Sequence, residues 1–100
     1  MAEHTRRVAA DLCSYVDEDT GRLKMEVSLP GVKKEGISLK IRDDSFSLTA
    51  PREDIEFVST GTFCCPVKPD SADATYENGL LRIEIPFKDV MEEAVTVNIH

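Results

Sequence analysis

From Leu23 to Leu29 the chain alternates strictly, with Leu23, Met25, Val27 and Leu29 apolar and Lys24, Glu26 and Ser28 polar. Successive strand side chains point to opposite faces, so a period of two predicts a strand with one buried face. Pro30-Gly31 ends it, because Pro cannot donate to a ladder and Gly permits the reversal. The same alternation returns at Ile37, Leu39 and Ile41, closed by Asp43-Asp44, and at Phe46, Leu48 and Ala50, closed by Pro51. The short Asp43-Asp44-Ser45 link between these two predicts a tight hairpin. Upstream, Val8 to Val16 reads as a first strand, followed by a polar turn over Asp17 to Gly21.

Downstream, Ile55 to Cys65 reads as extended, and Gly61 within it predicts a bulge or bend. Pro66 to Asp70 is a stiff loop with two prolines. Ala72–Tyr76 and Leu80–Pro86 form a hairpin about Glu77-Asn78-Gly79, since Asn-Gly is a strong turn signal. Lys88 to Glu93 is polar, enough for one helical turn, and the chain closes on Val95, Val97 and Ile99 alternating with Thr96, Asn98 and His100. No segment repeats apolar residues at helical spacing over three turns. Seven to nine short strands spaced about ten residues apart predict an all-β antiparallel sandwich.

A chain of 100 residues holds one domain, with 41% apolar residues, six aromatics and no Trp, so the core is mainly aliphatic. The expected organisation is a short arm over 1–7, the sandwich over 8–86 and a terminal segment over 87–100. A net charge of −7, with Lys and Arg scattered singly or in pairs, argues against nucleic-acid binding. Three cysteines, without CxxC spacing or a secretory leader, point to reduced thiols in a cytoplasmic protein. No apolar run is long enough for a membrane span.

Candidate chemistry is sparse. In a strand, Cys64 and Cys65 would face opposite ways, one buried and one exposed, and no histidine or helix start lies near to activate either. No Cys/His spacing offers three or four convergent metal ligands. The acids Asp17-Glu18-Asp19 and Asp43-Asp44 fall in turns and lack calcium-loop spacing. Neither a Gly-rich phosphate loop nor a Ser-centred elbow is present. The sequence therefore predicts neither an enzyme nor a cofactor.

Two stretches carry a family likeness. Leu29-Pro30-Gly31-Val32, continuing through Lys34-Glu35 to Ile37, resembles the L-P-G-V-x-K-E-x-I stretch of small heat-shock proteins. Ala74-Thr75-Tyr76-Glu77-Asn78-Gly79-Leu80-Leu81, followed by an alternating strand and Pro86, resembles their A-x-x-x-N-G-V-L stretch, and Phe63-x-Cys65-Pro66 stands where F-x-L-P is often found. The likeness covers roughly Val8 to Pro86. It implies an immunoglobulin-like β-sandwich, the α-crystallin domain, and an ATP-independent holdase whose partners are partly unfolded client proteins.

The departures matter as well. About seven residues precede the first strand where the family usually has a long arm, and Ala50 to Phe63 is too short for the loop that many members exchange between subunits. Gly61 replaces a frequent arginine and Gly36 a usual acid. A monomer or a weak homodimer is therefore expected. The alternative is a CS-domain-like co-chaperone or interaction module without holdase activity, because that branch shares the sandwich and lacks the exchanged loop. The resemblance also implies that Val97 and Ile99 are the knobs of an Ile-x-Ile-type tail. Such a tail adds to a groove between the strands of Ile37–Arg42 and Ala72–Tyr76, with Ile37, Leu39, Ile41, Ala74 and Tyr76 as the candidate lining for tail or client.

Overall fold

The computed structural model describes residues 6–89 and 94–100. Among these residues, eight strands make two four-stranded sheets. They are β1 (Arg6–Ala9), β2 (Asp11–Asp17), β3 (Arg22–Ser28), β4 (Ser38–Ile41), β5 (Ser45–Arg52), β6 (Ile55–Thr62), β7 (Asp73–Glu77) and β8 (Leu80–Pro86). One sheet has the order β1-β6-β5-β4 and the other β2-β3-β8-β7. Single 3₁₀ turns at Lys34–Gly36 and Pro69–Ser71 lead into β4 and β7.

The alternation over 23–29 buries its apolar face: Met25, Val27 and Leu29 are sealed in the core with Leu23 at its margin. They join Leu81, Ile83 and Ile85 of the neighbouring β8, Leu48 and Ala50 of β5 across the sandwich, and Val67 in one aliphatic cluster. The opposite face of the β2-β3-β8-β7 sheet is charged. Lys24 sits across from Glu84, and Glu26 across from Arg82, in direct register on β3 and β8. The ion pairs Lys24–Glu84 (3.2 Å) and Arg82–Glu26 (3.3 Å) follow from that register. A one-residue slip would bury charges and expose the core, so register and sidedness support each other.

The expected turns form, with glycine at several of the positive-φ positions that a side chain resists. Asn78 (φ 53°) and Gly79 (φ 79°) make a two-residue link between β7 and β8, and Gly21 (φ 67°) closes the β2–β3 turn.

Three expectations are corrected. Val8 to Val16 is not one strand but two in different sheets, parted at Ala10. The Ala10 amide makes the last bond to β6, at the Val58 carbonyl (3.1 Å), and the chain then crosses to pair with β3. The small Ala9-Ala10 step permits that crossing. As a result β1 runs parallel to β6, beside pairings that are otherwise all antiparallel. Strand β5 passes through Pro51 to Arg52, because β4 no longer flanks it there and the missing amide is not needed. Gly61 makes no bulge, for the β5–β6 register is continuous; instead the Phe46 ring lies over it, 2.8 Å from where a Cβ would stand. The helical turn expected over Lys88 to Glu93 falls largely on residues outside those described.

Candidate interaction surfaces

On one side of the sandwich β4 and β7 are the outermost strands of their sheets. The two sequence motifs meet there. The Tyr76 hydroxyl lies 2.8 Å from the Leu29 carbonyl oxygen and 2.7 Å from that of Val32, so its single proton is shared between two acceptors of the Pro30-Gly31 reversal. The Leu29 amide donates to the Gly79 carbonyl (2.7 Å), and Arg52 Nη1 donates to the Pro30 carbonyl (3.1 Å). Gly31 holds φ 78°, and a Cβ there would stand 2.8 Å from Arg52 Nε. Both glycine turns are thus constrained by conformation and by close neighbours.

The residues expected to line a groove at this side are partly brought together. Ile37, Leu39, Ile41 and Tyr76 are half-buried against the core, while Ala74, on the same face of β7 as Tyr76, is exposed. The tail does not cover them within the chain: Val97 is 76% exposed and Ile99 96% exposed, and neither belongs to a strand.

The other side of the sandwich holds a surface not expected from the sequence. Leu12, Ser14 and Val16 on β2 pair with Val27, Met25 and Leu23, so they point to the core face of their sheet. Among the described residues, no strand pairs with the outer edge of β2. Between that edge and the end of β6 opens an apolar groove of about 440 Å³, with Leu12, Val16, Phe46, Phe63, Cys64 and Phe87 in its wall. Phe46 and Phe63 stack at 5.7 Å between ring centroids and 27° between planes. Val16 is 49% exposed, and Tyr15, on the outward face of the same strand, 50%. The signal was present as the alternation Leu12, Ser14, Val16. It was hidden by fusing β1 to β2, which puts the blurred Ala9-Ala10 step inside the pattern.

Beside this edge, Lys24 bridges Asp17 (3.1 Å) and Glu84. The hydrogen bond from Lys24 holds the Asp17 carboxyl below its ordinary pKa, and the same bond raises that of Lys24. At the groove mouth Cys64 and Cys65 are both exposed, contrary to the strand-based expectation, because β6 ends at Thr62 and the two residues occupy a bend.

No protein-family model and no curated protein matches the sequence. Solved structures do match the fold. Heat shock protein 16.0 from Schizosaccharomyces pombe superposes with a TM-score of 0.75 at 18% identity, over 94% of this chain and 77% of that one. The Del-C4 mutant of hsp14.1 from Sulfolobus solfatataricus P2 gives 0.70 at 23% identity, over 87% and 79% of the two chains. HSP18.5 from E. histolytica gives 0.68 at 15% identity, over 92% and 99%. The chain has the α-crystallin-type sandwich fold of small heat shock proteins.

Proposed function

We propose that this chain is a small heat-shock-type chaperone domain, an ATP-independent holdase that binds partly unfolded proteins. The fold likeness supports the class. The observation that carries the reading is the open β2 edge, whose free backbone groups run beside an apolar groove. An extended client segment added there would complete the backbone ladder and place alternate side chains among Leu12, Val16 and Phe63. A net charge of −7 keeps such a complex soluble. Nothing in this scheme consumes nucleotide.

The test is suppression of light scattering when a heat-labile enzyme is warmed with this protein. The parent chain should suppress scattering, and Leu12→Lys with Val16→Lys should lose most of that effect while unfolding at nearly the parent temperature. Unchanged scattering at several-fold molar excess of folded parent protein would defeat the holdase reading.

One observation favours the co-chaperone alternative. Arg52 pairs with Ile55 across a two-residue link, Glu53-Asp54, so β5 and β6 are joined by a tight hairpin with no loop to exchange. Saturable binding to the large heat-shock chaperone in its nucleotide-loaded form, without effect on scattering, would select that reading.

A further inference from the structure

Cys64 and Cys65 are neighbours in the chain, both exposed, and seated in a bend between β6 and the β7 lead-in. The bend is held at both ends. The Phe63 amide donates to the Asp44 carbonyl (2.8 Å), the Val67 amide to the Asp43 carbonyl (2.9 Å), and the Pro66 carbonyl accepts from the Lys88 amide (2.9 Å). Pro66 removes a further backbone freedom. Two thiols on adjacent residues are therefore presented to solvent on a pinned backbone.

Three chemistries suit paired thiols, and the geometry separates them. A structural zinc needs four ligands, and the described residues contain no group of three or more Cys, His, Asp or Glu side chains placed for a metal. A disulfide between adjacent residues is strained, since their Cα atoms stand only about 3.8 Å apart and disulfides ordinarily span roughly 4.4–6.8 Å. A larger atom inserted between the sulfurs lengthens the bridge and relieves that strain.

We propose that Cys64 and Cys65 form a chelating dithiol site for a trivalent arsenic centre, such as an organoarsenous oxide, whose organic substituent lies along the apolar groove. In the capture step both S–H bonds break and two As–S bonds form. The arsenic–oxygen bond is lost, and its oxygen leaves with the two thiol protons as water. Arsenic stays trivalent and no electrons are exchanged. Cys64 forms part of the groove wall near Phe63, so an aryl group on arsenic has apolar surface beside it.

The test uses phenylarsine oxide and the full chain, with intact mass and free-thiol counts as readouts. These do not depend on chaperone activity. The parent and Cys13→Ser should each take up one arsenical per chain and lose two free thiols, with release by an added small dithiol. Cys64→Ser and Cys65→Ser should each bind on the order of 100-fold more weakly, because the second sulfur no longer acts at high effective concentration. Both positions are exposed, and circular dichroism of each variant confirms folding. Equal affinity in the single variants and the parent, or a dependence on Cys13, would overturn the assignment.

Discussion

The Tyr76 hydroxyl, on β7, reaches the Leu29 carbonyl 47 residues away in sequence and so ties the Asn78-Gly79 hairpin to the Pro30-Gly31 reversal. The two motif stretches are thereby one structural unit. Tyr76→Phe removes only the oxygen and leaves carbonyls of Leu29 and Val32 without that donor. The expected cost is about 1–3 kcal/mol, a fall in Tm of several degrees, with the denaturant m-value unchanged. Urea melts of the two proteins check this.

Gly61 is required for a neighbour and not for its own backbone. A Cβ would meet the Phe46 ring at 2.8 Å and push it off Phe63. Gly61→Ala should cost about 1–3 kcal/mol by overpacking. Combined with Phe46→Leu, the loss should be smaller than the sum of the two single changes, and a double-mutant cycle measures the difference.

Much of this fold was legible in the sequence, and what was missed has a physical pattern. Strands β3 and β8 and the Asn-Gly hairpin could be read because alternation and turn chemistry are local. The break at Ala10 could not, since only the positions of β3 and β6 in space make one strand into two. Gly61 misled for the same reason: a glycine in a strand signals a bulge or a close approach, and Phe46 decides between them. Of the surfaces, the one expected at Ile37, Leu39, Ile41 and Tyr76 rests on motif likeness, whereas the β2 groove depends on which edge lacks a partner.

Acid should weaken the β2–β3 corner. The Asp17 pKa is lowered by Lys24, so this carboxylate contributes stability above its unfolded pKa, and the contribution is lost as pH falls through the lowered folded value. Lys24, raised mainly by Asp17, contributes below its unfolded pKa and ceases to do so in strong alkali. In Lys24→Met, the loss of stability on moving from neutral pH to below pH 4 should be shallower than in the parent. Urea midpoints across that range give the comparison.

The tail separates two modes of association. Val97 and Ile99 stand in solvent in the single chain, so docking onto Ile37, Leu39 and Ile41 is proposed to occur between chains. Val97→Ala with Ile99→Ala should then abolish concentration-dependent association and leave a Tm independent of protein concentration. Sedimentation of the parent should show a monomer in exchange with a dimer and no large closed shell, given the tight Glu53-Asp54 hairpin.

Strand β3 takes β2 on one side and β8 on the other, and β8 is the last strand among the described residues. On a ribosome, Leu23, Met25, Val27 and Leu29 emerge with only β2 to pair with, and their closing partner follows more than fifty residues later. The domain therefore completes itself late, through a non-local pairing that is slow to find. Until Leu80 to Pro86 are released, the nascent chain carries an exposed apolar strand of its own.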